Sequence, residues 1–198
     1  MKSIRLLFVM VSTVCSVYAT SFIPRGIYAE DIINEISHLS THYVPDRITT
    51  LNLQNKPLVF ASDQYIFDYA IAENVITTIM ENLPNLEVLD LSLNRLPQNA
   101  LPSFLTLLSK PHFKFLDVRI NSGANTIDGL KALAETIEQM EPAISRVEEC
   151  AILRKIIWLS EDYVPHVNIP EMYKESHRAY YKSLTTTASG GWTLPTNA

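Results

Sequence analysis

His38 and His42 stand four residues apart, a spacing that puts two imidazoles on one side of a helix, where they can hold zinc once a third ligand arrives. The intervening Leu39-Ser40-Thr41 lacks the glutamate that a zinc protease uses as its base, so the alternative is an ordinary solvated or packed pair. His112 follows Pro111 in a loop, and His166 and His177 fall in the C-terminal third. Glu148-Glu149 and Glu161-Asp162 are paired carboxylates, but adjacent side chains on a helix point apart. Cys150 has acidic neighbours that oppose thiolate formation, which suits a buried, inert thiol. No G-x-S-x-G elbow and no G-x-G-x-x-G loop is present, and the chain has only five glycines from which to build one. These residues predict no catalytic site, no metal site and no cofactor. A hydrolase using His and carboxylates of the C-terminal third stays open as an alternative, as does a purely structural subunit. Such an enzyme needs three of those residues to converge in one pocket.

A second group could bind rather than react. Asn52, Val88, Asp90, Phe115, Asp117 and Arg119 lie between regularly spaced apolar residues and would form a patch if those segments were neighbouring strands. Asn52, Asp90 and Asp117 then share one column, and Val88 and Phe115 sit side by side in the next. Adjacent carboxylates repel at a cost of up to about 1 kcal/mol unless Arg119 or Lys114 screens them. The strip would suit a basic peptide or a protein loop; it could equally be an ordinary solvated sheet face. Tyr173, Tyr180, Tyr181 and Trp192 form an aromatic group that either offers a carbohydrate or peptide platform or closes the end of a core.

The strands that must position this patch are legible. Leu86-Glu-Val-Leu-Asp-Leu-Ser-Leu-Asn-Arg-Leu96 reads L-x-x-L-x-L-x-x-N-x-L, and Leu89 and Leu91 share one face of a short strand. Phe113, Leu116, Val118 and Asn121 restate Leu86, Leu89, Leu91 and Asn94, each 27 residues on. Ile48, Leu51 and Leu53 match the first half only, with Lys56 at the asparagine place. Leu153, Ile156 and Trp158 allow a further strand, 40 residues beyond Phe113; a continuous helix from Ser145 to Leu159 fits the same residues. Apolar stripes predict helices from Ala29 to about Thr41, Asp63 to Asn82, Asn99 to Ser109, Ile127 to Met140 and Pro170 to Lys182. Thr126 can cap the fourth of these, and Pro142 ends it.

This pattern resembles the leucine-rich repeat. It is specific at Leu86–Leu96, fair at Phe113–Asn121 and spread over about residues 46–140. The resemblance implies an α/β fold: a short solenoid with parallel strands on a concave face, helices on a convex face and a helical N-terminal cap. Parallel strands stack at roughly 4.8 Å whereas helices need about 10 Å, so the helical side splays. The resemblance also implies non-catalytic binding of another protein on the concave face. It assigns residues 20–45 to the cap helix, 46–142 to repeats, 143–184 to a C-terminal cap and 185–198 to a mobile tail.

Composition agrees with a folded domain: 198 residues, 47% hydrophobic and 19% charged. A net charge of -5 argues against nucleic acid, which needs clustered Lys and Arg. Residues 1–19 read as a signal peptide: Lys2 and Arg5, then an apolar run, then Val17-Tyr-Ala19 before a cut. Ser12, Thr13 and Ser16 interrupt that run, so no stable membrane span is expected after cleavage, although an uncleaved anchor is the alternative. Cys15 lacks the small preceding residue expected of a lipidated cysteine. Cleavage would leave Cys150 without a disulfide partner. The expected destination is secreted or periplasmic, with a compact leader of bacterial type.

Overall fold

Leu51, Leu89, Leu116 and Ile156 lie side by side in four successive strands, and all four are fully buried. The structure, a computed structural model, describes residues 20–39, 44–121, 127–140 and 144–188. Its sheet has five strands, all parallel, in sequence order. They are β1 Thr20–Phe22, β2 Ile48–Asn52, β3 Val88–Asp90, β4 Phe115–Asp117 and β5 Ile156–Ile157. The helices α1 Ala29–Ser37, α2 Tyr69–Asn82, α3 Leu105–Leu108, α4 Ile127–Met140 and α5 Arg146–Leu153 connect them, and α6 Glu171–Ala188 follows β5. The buried leucines of the strands form one core with Ile32 and Ile36 of α1, Val75 and Ile79 of α2, Leu108 of α3 and Leu133 and Ile137 of α4. Those helices therefore cover one face of the sheet.

Several elements differ from their sequence expectation. Residues 20–27, expected as an extended lead-in to a cap helix, supply β1; Ser21 and Phe22 pair with Thr50 and Leu51. The helix expected from Asp63 starts at Tyr69, because Asp68 caps it with bonds to the N–H groups of Ala70 and Ile71 at 2.9 and 3.1 Å. The helix expected from Asn99 to Ser109 is a 3-10 helix, Gln98–Phe104, before the short α3; Pro102 inside it cannot give the N–H that a continuous α-helix requires. Both alternatives for the segment after Ser145 are half right. Ser145 and Glu148 form a reciprocal cap on α5, which ends at Leu153, and β5 then pairs with β4 at the 40-residue offset. Helix α6 runs to Ala188, past the expected start of the tail at residue 185. Thr126, His42, Pro142, Trp192 and the leader lie outside the described residues.

Two buried asparagines join the turns that follow the strands. Asn94 accepts a bond from Lys56 N at 3.0 Å and donates to the carbonyls of Leu53 and Ser92 at 2.8 and 3.1 Å. Asn121 accepts from the N–H groups of Asn94 and Leu96 at 2.9 and 3.0 Å and donates to Leu91 and Val118 at 2.9 Å. Each amide thus uses both its ends to satisfy backbone that the strand ladders leave unpaired. Lys56 takes this place in the first copy, and its ammonium reaches the Gly26 carbonyl at 2.7 Å. The residue just before each of the three is left-handed: Asn55, Leu93 and Ile120, with φ of 55°, 63° and 55°. Leucine and isoleucine seldom adopt that conformation, so the buried amides hold the backbone there against its local preference.

Candidate functional site

The other face of the sheet carries the residues between the leucines. Register places Thr50, Val88 and Phe115 in one row and Asn52, Asp90 and Asp117 in the next, as their spacing predicts. Their surroundings differ from one end of the row to the other. Thr50, Asn52, Val88 and Asp90 are partly exposed, whereas Asp117 is 0% exposed.

What buries Asp117 is α6. Tyr180 donates its hydroxyl to Asp117 Oδ2 at 2.6 Å, and its ring meets Phe115 edge-on at 5.3 Å between centroids. Arg119 grips the same carboxylate, Nε at 2.9 Å and Nη2 at 2.7 Å. The guanidinium lies 5.8 Å from the Tyr180 centroid and 5.5 Å from that of Tyr181. Tyr181 donates to the Leu159 carbonyl at 2.5 Å. Ile157, Val164, Tyr180 and Tyr181 make a second small core here, with Val88 and Phe115 against it. Burial pushes the Tyr181 hydroxyl up to about 12, and burial together with Asp117 pushes that of Tyr180 up further. Phe115, Asp117 and Arg119, expected on an open patch, are therefore the floor beneath a helix. Of the two roles considered for the tyrosines, Tyr173 joins the main core, while Tyr180 and Tyr181 lie across the sheet face rather than closing its end.

His177 fixes where α6 sits. It is fully buried; Nε2 accepts the backbone N–H groups of Trp158 and Leu159 at 3.1 and 3.2 Å, so the proton is on Nδ1, facing the Tyr173 carbonyl at 2.8 Å. Both ring nitrogens are occupied structurally. Burial lowers its pKa, outweighing the opposite pull of the Tyr173 carbonyl and Asp117. Stability carried by this neutral ring is lost as pH falls below the unfolded value of about 6.5. His38 Nδ1 lies 2.8 Å from the Asn34 carbonyl. Among the described residues no group of three His, Cys, Asp or Glu could hold a metal.

Asp90 borders the covered and open halves. Its Oδ1 accepts from Ser92 N and Ser92 Oγ at 2.9 and 2.7 Å, while Arg119 is committed to Asp117. Lys114, the other expected screen, instead pairs with Glu87 at 2.7 Å. Burial, and then the Asp117 charge, push the Asp90 carboxyl up to about 6 despite the bonds from Ser92. An unfolded aspartate titrates near about 3.9, so the native chain keeps a proton between about pH 4 and 6 that the unfolded chain has lost. That contribution is present at low pH and disappears as pH rises through 6. Asp90→Asn should therefore raise stability by about 1–2 kcal/mol at pH 7.5 and leave it little changed at pH 4.5. Urea unfolding at the two pH values checks this; equal effects at both would show that Asp90 carries no such proton.

Sequence reasoning missed the overlay by α6. The signal available was the adjacent pair Tyr180-Tyr181 in a helix otherwise polar, together with an Asp117 that its i+2 neighbour Arg119 could not alone keep dry. Among the described residues no helix is long and apolar enough to cross a membrane. No protein-family model, curated protein or solved structure matches the chain.

Proposed function

We propose that the chain binds another protein, without catalysis, through the open half of the sheet face opposite α1–α5, and that it is a short, exported solenoid of the leucine-rich-repeat type with capped ends. The observation that carries this is the set of partly exposed polar residues on β2 and β3. Thr50, Asn52 and Asp90 stand on neighbouring parallel strands held in register by the buried amides of Asn94 and Asn121. Parallel sheets are usually covered on both faces, so a half-covered one leaves a surface for a partner. Residues on paired strands are rigidly spaced, which limits the ordering cost of binding. A secreted or periplasmic setting follows if residues 1–19 act as a leader.

Charge reversal at Asp117 would not test binding, since it would strand Arg119 and Tyr180 in the second core. Thr50→Arg with Asn52→Arg changes only the open half. A partner captured by the immobilised full chain should be lost from this double variant while its melting temperature stays the same. Retention of that partner, or turnover of generic ester, peptide or glycoside substrates by the full chain, would remove the proposal.

A further inference from the structure

On the helix side of the sheet, away from the face just described, α4, α5 and the start of α6 leave a cavity of about 380 Å³. That volume lies in the range of small-molecule sites. Its walls are apolar and aromatic: Leu130, Ala134, Leu153, Trp158, Ile169 and Tyr173. Two of its polar groups are unusual. Glu149 also lines it, with a side chain only 5% exposed, and it pairs with Arg146, which is 75% exposed. Arg146 Nη1 spans both Glu149 oxygens at 2.7 and 2.6 Å. The second is the indole of Trp158, whose Nε1 is buried with no hydrogen-bond partner among the described residues. An orphaned donor of this kind costs roughly 1–3 kcal/mol, and its N–H signal reports on this wall of the cavity.

Charge decides what could enter. Glu135, Glu138 and Glu149 face Lys131 and Arg146 around the cavity, so its lining is net negative. A carboxylate ligand would meet Glu149 in an apolar wall, whereas an ammonium would find that carboxylate and two aromatic rings. Arg146 reaches Glu149 from solvent and can swing away, because most of its side chain is in water.

We propose that this cavity binds a small organic amine, an ammonium group on an apolar or aromatic body, with Glu149 as its counter-ion in place of Arg146 and Trp158 and Tyr173 as its aromatic walls. The site lies on the opposite side of the sheet from the proposed partner-binding face, and α6 contributes to both.

The test uses the ¹⁵N-labelled full chain carrying Trp192→Phe, so that Trp158 gives the sole indole N–H signal. The probes are 2-phenylethylamine and 3-phenylpropionate, which share a body and differ in charge. The amine should move the indole signal saturably, with the anion binding about tenfold or more weakly. Ala134→Phe should fill the cavity and abolish the shift while the remaining amide spectrum is kept. Glu149→Gln should weaken the amine alone; should it unfold the chain, Ala134→Phe still decides. An indole signal that exchanges with water and ignores the amine would assign the cavity to solvent and overturn the proposal. Equal response to amine and anion, or a shift that survives Ala134→Phe, would overturn it too.

Discussion

Asn121→Ala is expected to lower the unfolding free energy by about 3–5 kcal/mol. The side chain is 4% exposed, so water cannot replace it. Its loss leaves the N–H groups of Asn94 and Leu96 without an acceptor and the carbonyls of Leu91 and Val118 without a donor. Each buried group left unmet costs roughly 1–3 kcal/mol, and the two N–H groups have no second acceptor within their turn. The backbone at Ile120, held left-handed beside it, would also be free to relax, which splays the turn from its neighbour. Asn99→Ala, at an exposed asparagine of the 3-10 helix, should cost under about 0.5 kcal/mol and serves as the control. Urea unfolding followed by circular dichroism makes the comparison. If Asn121→Ala costs no more than the control, the amide is not what joins the turns.

Tyr180→Ala should cost a similar amount, about 3–5 kcal/mol, for a different reason. The ring is among the largest fully buried side chains, and its removal opens a cavity between α6, Phe115 and Ile157. Tyr180→Phe keeps the ring and deletes only the hydroxyl on Asp117, a bond to a buried charge worth about 1.5–3 kcal/mol. The difference between the two variants separates packing from hydrogen bonding. Release of α6 would bare Val88 and Phe115, so Tyr180→Ala should bind a hydrophobic dye below its melting temperature whereas Tyr180→Phe should not. Equal dye binding by both variants would mean that the hydroxyl bond rather than the ring holds α6 on the face, and none from either while stability falls would mean that α6 stays over it.

The strands with an asparagine at a fixed offset were legible because the backbone demands it. Asn94 and Asn121 must lie where one amide can reach two turns, and the apolar residues at 86, 89 and 91 recur at 113, 116 and 118 for the same reason. The register of Asn52, Asp90 and Asp117 follows directly. β1 was illegible because Thr20–Phe22 has no pattern of its own; three residues become a strand only by pairing with β2. β5 has only two residues, too few to show a period. Nor could local spacing reveal the cover on the candidate face. Tyr180 and Asp117 are 63 residues apart, and nothing in a helix of mostly polar residues says which side of a sheet it will cross. The exposure expected of Asp117 failed on that tertiary contact, and Phe115 and Arg119 stay only partly exposed beneath α6, while the direction in which the three point is as expected.

The sequential order of the sheet also bears on how the chain reaches its native state. Each strand pairs with the one made just before it, at separations of 38, 27 and 40 residues along β2 to β5. No strand waits for a distant partner, so a nascent chain can add each pair to a finished edge as it emerges from the ribosome. The clasp of Tyr180 on Asp117 spans more of the chain, 63 residues, and needs α6, which follows β5 in the sequence. A contact that closes after the transition state governs how fast the assembled protein comes apart rather than how fast it is made, so Tyr180→Phe is expected to speed unfolding and leave refolding unchanged in stopped-flow measurements.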